Sequence, residues 1–124
     1  MKAGRPVVAA GGSVREGVSG KGRMLFRLSD ESGKLRFGLV RDAGEEIARG
    51  DLDGDDVFVL DDAGRTVWVW EGQRASTAEK SMWLKVAQAY VQRLREEDEQ
   101  AYLTPIAKVR EGYESAGFLQ AIAA

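Results

Sequence analysis

The feature that most constrains the fold is a run of four consecutive apolar residues, Val57-Phe58-Val59-Leu60. Alternate side chains of a strand point to opposite faces of a sheet, so a strand that has no polar face must be covered on both sides. The sequence therefore predicts that this run is the central strand of a sheet packed between helices.

Four more strands are predicted around the central one. One segment alternates polar and apolar residues, one is rich in β-branched and aromatic residues, and the other two are short runs of mostly apolar residues. They lie at residues 24–28, 34–39, 66–70 and 106–109. A polar connection over residues 41–55 leads into the central strand, and we expect Ile47, Ala48 and Leu52 to anchor a short helical turn within it.

Two helices are predicted, one long and one short. Ser76, followed three residues later by Glu79, has a capping-box pattern and predicts a helix over residues 77–97. The core stripe of this helix consists of apolar residues at helical spacing: Trp83, Val86, Ala87, Tyr90, Val91 and Leu94. A turn over 112–117 precedes a short amphipathic helix over 118–122. This order of elements predicts an α/β (α+β) fold in which a mixed sheet lies between helices.

The length of 124 residues suits one domain. Residues 1–22 are rich in Gly, Ala, Ser and Val and predict a flexible lead-in or a linker, so we expect residues 23–124 to form the domain. No apolar run approaches the ~20 residues of a membrane-spanning helix, and the stretch from Val7 to Ala10 is too short for a secretory signal. We therefore expect a cytoplasmic protein with no transmembrane segment.

The composition argues against several classes of function. The chain has no histidine and no cysteine, which removes the usual general base and the commonest zinc ligands. An enzyme would need paired carboxylates in a cleft, and the one acidic cluster that could supply them consists of Asp55, Asp56 and Glu79. The net charge of −2 gives no basic excess for nucleic acid. We expect neither an enzyme nor a nucleic-acid-binding protein.

Two acidic residues of this cluster stand where elements begin. Asp56 opens the central strand and Glu79 lies in the first turn of the long helix. If the helix packs on that strand, the two carboxylates lie close together, and a divalent cation would let both stay ionised. Alternatively, Asp56 is a turn residue and Glu79 caps the helix, where the helix dipole favours an acidic side chain. The spacing leaves both readings open.

Four segments, in the same order along the chain, resemble the motifs of the gelsolin/villin superfamily. They are LFRLSDESGKL (25–35), DLDGDDVFVLD (51–61), WVWEG with ASTAEK (68–80) and VREGYESAGF (109–118). The resemblance covers residues 24–122 and is greatest to fungal gelsolin-like proteins. It implies a single gelsolin-like repeat, with a five-stranded mixed sheet between one long and one short helix. It also implies binding to actin of the cytoskeleton under calcium control.

The resemblance further implies one calcium ion between the central strand and the start of the long helix. Carried over by position, the carboxylates come from Asp56 and Glu79. The backbone carbonyls come from Asp55 and from the loop near Arg110. All four groups are the hard oxygen donors that calcium prefers.

An actin-binding surface is implied on the outward face of the long helix and beside it. Its candidate residues are Met82, Lys85, Gln88, Ala89, Gln92 and Tyr113. The family carries an apolar residue at the position of Lys85, so the lysine puts a strong capping contact in doubt. Met82 and Trp83 are adjacent and cannot both point the same way. Either at least one of them is partly exposed and serves as an interface anchor, or both are half-buried at the helix margin. Tyr113 either lies near the actin contact or covers the edge of the core.

A single repeat is expected to bind one actin subunit. We expect this chain to bind monomers or cap filaments, because severing usually needs at least two linked actin-binding modules. The alternative function is a structural gelsolin-like domain that packs against sibling repeats without contacting actin, which the lysine at position 85 favours.

Overall fold

The computed structural model describes residues 22–98 and 103–123, which form five strands and two α-helices. The strands are β1 Met24–Ser29, β2 Arg36–Arg41, β3 Val57–Asp61, β4 Val67–Glu71 and β5 Ile106–Arg110. The helices are α1 Thr77–Glu97 and α2 Ala116–Ala123. The sheet order is β2-β1-β3-β4-β5, with β4 and β5 parallel and the other neighbours antiparallel. The predicted mixed five-stranded sheet with one long and one short helix is confirmed.

All five residues of β3 are buried, as expected for the central strand. Phe58 and Leu60 point to one face, where they join the core cluster that includes Phe118 of α2. Val57 and Val59 join the cluster on the other face, with α1. Full burial of a Val, Leu or Phe side chain stabilises a fold by about 1.5–3 kcal/mol. The two apolar faces of β3 therefore stabilise the packing of α2 on one side of the sheet and of α1 on the other.

The long helix has the predicted bounds, Thr77–Glu97. Ala87, in the middle of its core stripe, is fully buried against the sheet. Three residues after Ala87, the Tyr90 hydroxyl donates a hydrogen bond of 2.5 Å to Asp61 Oδ2 at the end of β3. Burial, and then the Asp61 carboxylate, raise the pKa of Tyr90 above its ordinary value. The tyrosine therefore stays a hydrogen-bond donor that attaches α1 to the sheet.

The edge strand β2 begins two residues later than the sequence predicts. The turn is closed by Gly33, which has a φ of +90° and whose N–H donates to the carbonyl of Asp30. The first residue of β2, Arg36, pairs with the last residue of β1, Ser29. Residues 34 and 35 therefore belong to the turn, because the pairing register with β1 decides where β2 begins.

The connection into β3 contains the expected helical turn, a 3-10 turn at Arg49–Asp51. Ile47 is buried and Leu52 packs against the same core cluster. Ala48 is exposed, contrary to expectation, because it is the residue that precedes the turn. Its N–H donates to the Asp51 carboxylate at 2.9 Å, so Ala48 contributes through its backbone.

The predicted turn over 112–117 is wrong at its end, because α2 already begins at Ala116. The Ser115 hydroxyl accepts a hydrogen bond from the Phe118 N–H at 3.3 Å, a local signal for a helix start. Gly117 therefore lies inside the helix. A Cβ at that position would come within 3.1 Å of the Trp68 ring, so the glycine allows α2 to approach β4 closely.

The predicted lead-in, residues 1–22, lies outside the described residues except for Gly22. The described ranges contain the rest of the predicted domain apart from residues 99–102 and Ala124. Neither α1 nor α2 combines the length and apolar character that a membrane-crossing helix requires.

Gly72, directly after β4, permits the closest backbone approach in this part of the sheet. A Cβ at this position would lie 2.6 Å from the carbonyl oxygen of Asp56 and closer still to that of Gly54. The Gly72 N–H donates to the Asp56 carbonyl at 3.1 Å, and the Arg74 N–H donates to the Gly54 carbonyl at 2.8 Å. The segment before β3 is therefore held against the end of β4 by backbone contacts.

We predict that Gly72→Ala lowers the free energy of unfolding by about 2 kcal/mol or more, because the added methyl group collides with two backbone carbonyls that cannot move independently. Gly38→Ala is the matched control, since a Cβ at Gly38 on the edge strand meets no atom within 4 Å. It should change stability by less than about 0.5 kcal/mol. Urea unfolding of the two variants measures the difference, and similar losses would contradict the close approach at Gly72.

Candidate metal centre and exposed helix face

The candidate metal ligands gather at one end of the sheet. At this end β3 begins just after Asp56, while β4 and the parallel β5 end at Glu71 and Arg110, which pair with each other. The turn after β1 lies at the same end, because Leu28 pairs with Val57. The helix α1 also starts here, after a connection of five residues that follows β4. The sheet topology therefore brings distant segments of the sequence together.

Asp56 is almost completely buried, with 3% of its surface exposed. Its Oδ2 atom accepts a hydrogen bond of 2.6 Å from Arg27 Nε, and Nη2 of the same guanidinium lies 2.5 Å from this oxygen. Arg27 pairs with Phe58 across the β1–β3 ladder. It is therefore a diagonal neighbour of Asp56, which lies two residues before Phe58. The hydrogen bond to Asp56 raises the pKa of Arg27 above its usual value. Arg27 was not among the site residues predicted from the sequence.

Glu79 is fully buried, and both of its carboxylate oxygens accept backbone hydrogen bonds. Oε1 accepts from the Ser76 N–H and Oε2 from the Asp30 N–H, each at 2.8 Å. The Ser76 hydroxyl in turn accepts from the Glu79 N–H at 3.1 Å, which completes the predicted capping box. The bond to Asp30 is not part of helix capping, and it joins the helix start to the turn after β1.

The two buried carboxyl groups, Asp56 and Glu79, lie close enough to interact directly. Burial raises the pKa of Glu79 above its ordinary value, and the neighbouring Asp56 carboxyl group raises it further. The N–H groups of Ser76 and Asp30 act in the opposite direction. A proton or a cation between the two groups relieves their repulsion. The capping role of Glu79 and its proximity to Asp56 are therefore present together.

The two predicted carbonyl donors lie at the same end of the sheet. Asp55 precedes Asp56, and its exposed carboxylate pairs with Arg74 Nε at 2.6 Å. The Arg110 carbonyl accepts the Tyr113 N–H at 2.9 Å, which leaves it one further lone pair. Among the described residues, no group of three or more Asp, Glu, His or Cys side chains suits a metal ion. A cation here would have two carboxylates and otherwise backbone oxygens as its protein ligands.

The outward face of α1 carries four of the predicted contact residues. All four are exposed: Lys85, Gln88, Ala89 and Gln92. Met82 and Trp83 are both half-buried at the margin of the helix, as one of the two predicted alternatives has it. Leu84 is 45% exposed and was missed, because it lies off the core stripe and next to the lysine. The exposed face therefore combines the polar residues with the small Ala89 and one large apolar side chain, Leu84.

Tyr113 stands out from the surface with 76% of its area exposed, so it does not cover the edge of the core. The Arg110 guanidinium lies 5.6 Å from the centre of its ring. An exposed aromatic ring beside a cation is a common contact element of protein interfaces.

Comparison with known proteins identifies a repeat of one family. A family model described as a gelsolin repeat matches residues 42–119. Gelsolin-like protein 2 of Lumbricus terrestris is 35% identical over 102 residues, which are 82% of this chain and 26% of that protein. Gelsolin-like protein 1 of Caenorhabditis elegans is 40% identical over 70 residues, which are 56% of this chain and 14% of that protein. The chain spans about a quarter or less of the length of these relatives.

A solved structure has the same fold. A chain in the crystal structure of the Thorarchaeota 2DGel3/rabbit actin complex matches this one with a TM-score of 0.62 and 22% sequence identity. The match covers 94% of this chain and 53% of that chain. At this level of identity the similarity establishes the architecture alone.

We predict that Ser76→Ala lowers the free energy of unfolding by about 1 kcal/mol, because the Glu79 N–H loses its acceptor at the helix start. Ser81→Ala is the control within the same helix, since Ser81 is exposed and its hydroxyl only donates to the carbonyl of Ala78. That change should stay within about 0.5 kcal/mol. Urea unfolding measures both variants, and an unchanged midpoint for Ser76→Ala would contradict the capping box.

Proposed function

Because this chain belongs to the gelsolin repeat family, we propose that it is a calcium-dependent actin-binding module that binds actin monomers or caps filaments. The observation that carries this proposal is the buried pair of Asp56 and Glu79 at the start of α1. The face of α1 that points away from the sheet is exposed. Family membership also makes the chain a protein-binding domain and not an enzyme. The finer resemblance to fungal proteins stays a prediction.

The donor set suits calcium. Asp56 and Glu79 would supply two carboxylates, and Asp55 and Arg110 would supply carbonyl oxygens, which are the ligand types calcium binds. A bound divalent cation would offset the repulsion of two acidic groups that the fold holds together in a buried position. The backbone N–H groups of Ser76 and Asp30 orient the Glu79 carboxylate whether or not a cation is present.

The proposal that actin is the partner draws on the relatives. One similar protein is the human macrophage-capping protein, and the structural relative 2DGel3 is seen in a complex with rabbit actin. In this chain we assign the contact to the exposed face of α1, with Leu84 as its apolar element and Lys85 beside it. Tyr113 is a further contact at the end of β5. A cytoskeletal location in the cytoplasm is part of the same proposal.

Filament severing is not assigned to this chain by itself. Severing needs linked modules that engage actin at the same time, and linkage supplies the effective concentration for the second contact. The chain corresponds to about a quarter or less of relatives such as gelsolin-like protein 2. One repeat therefore accounts for binding or capping, and severing would require sibling repeats.

We predict that calcium raises the melting temperature of the chain. Calcium at 100 times its Kd should add about 2.7 kcal/mol to the free energy of unfolding. Glu79→Gln should abolish the shift, because the neutral amide removes one of two charged ligands. Glu96→Gln is the control, since it removes an equal charge from an exposed position of the same helix. A normal calcium response in Glu79→Gln would show that the site lies elsewhere.

We predict that the chain sediments together with actin monomers in calcium and that a chelator weakens this binding. Ala89→Glu should weaken it about tenfold, because a long charged side chain then projects from the exposed face of α1. Ala116→Glu is the control: it makes the same exchange at an exposed position in the first turn of α2. Analytical ultracentrifugation measures each dissociation constant, and equal weakening by both variants would exclude the α1 face.

A second function is favoured by Lys85, whose charge is exposed in the middle of the proposed contact face. In that case the chain packs against neighbouring repeats and does not contact actin. The same sedimentation experiment separates the two functions. If the unaltered chain fails to bind and Lys85→Ile binds, the surface has lost an ancestral contact and the structural role is supported.

A further inference from the structure

We propose that Arg27 is a built-in counter-cation of the metal centre: it stabilises Asp56 when no metal is bound, and a divalent cation must compete with it. This inference rests on the proposed calcium site. It adds a residue that lowers calcium affinity and thereby sets the calcium concentration at which the site fills.

The contact geometry supports direct competition. Two nitrogen atoms of one guanidinium, Nε and Nη2, both lie against Oδ2 of Asp56, at 2.6 Å and 2.5 Å. They occupy the lone pairs of Oδ2, so a metal ion that binds the carboxylate through this oxygen must displace them. Charge-assisted bonds of this kind to a buried carboxylate are strong, so displacing them costs free energy.

The charges of the three side chains explain why the Arg27 guanidinium and a divalent cation compete for the site. When Asp56 and Glu79 are both ionised they carry two negative charges, and Arg27 compensates one of them. A divalent cation that replaces the guanidinium makes the site neutral. If the guanidinium stays in place, the site carries an excess positive charge in a largely buried position, which is unfavourable. Removal of the Arg27 charge should therefore favour the metal in either case.

Arg27 also has somewhere to move. Its side chain is 36% exposed, whereas that of Asp56 is 4% exposed, so the arginine is the solvent-facing partner of the pair. Nη2 already lies 3.6 Å from the exposed Glu31 carboxylate. Arg27 lines an open depression of about 300 Å³ together with Ser29, Glu31 and Arg36. The guanidinium can therefore leave Asp56 and keep an acidic partner at the surface.

The test is a calorimetric calcium titration of the unaltered chain, Arg27→Met and Arg41→Met. Arg41 is the matched control, because it also pairs with an aspartate, Asp51, and its side chain is 40% exposed. Arg27→Met should bind calcium about tenfold more tightly than the unaltered chain, because a competing charge of a partly buried pair is gone. Arg41→Met should remain within about twofold, since it changes the net charge equally but far from Asp56.

Stability in a chelator provides the second readout. Arg27→Met should melt at a lower temperature than Arg41→Met without calcium, because Asp56 and Glu79 are then uncompensated. Saturating calcium should remove this difference. Should Arg27→Met fail to fold without calcium, Arg27→Gln replaces it, because the amide keeps a hydrogen-bond donor and lacks the charge.

The outcomes are distinct. The role of Arg27 is overturned, and the calcium proposal is left intact, if all the proteins bind calcium with equal affinity: the unaltered chain, Arg27→Met, Arg27→Gln and Arg41→Met. Calcium binding by none of the proteins overturns the calcium proposal and this inference with it. Tighter binding confined to the Arg27 variants supports both, and its loss in an Arg27→Met, Glu79→Gln double variant places the ion at the carboxylate pair.

Discussion

The arrangement of this domain depends on the buried carboxylate of Glu79. One of its oxygens accepts a hydrogen bond from the Ser76 N–H and the other from the Asp30 N–H, although Asp30 lies 49 residues before Glu79 in the sequence. The same carboxylate lies beside Asp56. One side chain thus joins the helix start, the turn after β1 and the start of β3. Because a buried carboxylate without such partners is very unfavourable, these segments must come together in one way.

The parts of the fold that follow from local sequence signals were predictable. The run Val57–Leu60 identified the central strand, and the capping box identified both the start of α1 and one of its hydrogen-bond pairs. The start of β2 was not predictable in this way, because it depends on pairing with Ser29, which is set by the register with β1. The start of α2 has a local signal, the Ser115 hydroxyl, which the predicted turn over 112–117 missed.

The same distinction applies to the candidate site. The proximity of Asp56 and Glu79 could be predicted, because both open elements that pack on each other. Arg27 could not be placed, since its partner is set by the register between β1 and β3. A signal was nevertheless present: a charged residue between the apolar Phe26 and Leu28 indicates that a counter-charge lies nearby. Leu84 carries a comparable signal: it is an apolar residue outside the core stripe of α1, which indicates an exposed apolar side chain on this helix.

The hydrogen bonds of Glu79 limit what a cation could do here. Each carboxylate oxygen accepts one backbone N–H and retains a second lone pair, so the carboxylate could keep its hydrogen bond in the capping box while it binds a metal ion. The helix start is therefore formed before any cation arrives. A cation would change the charge of the site and the position of Arg27, while the exposed face of α1 keeps its shape. Any calcium dependence of partner binding should then arise from electrostatics and from rigidity of the helix start, and not from folding of the helix.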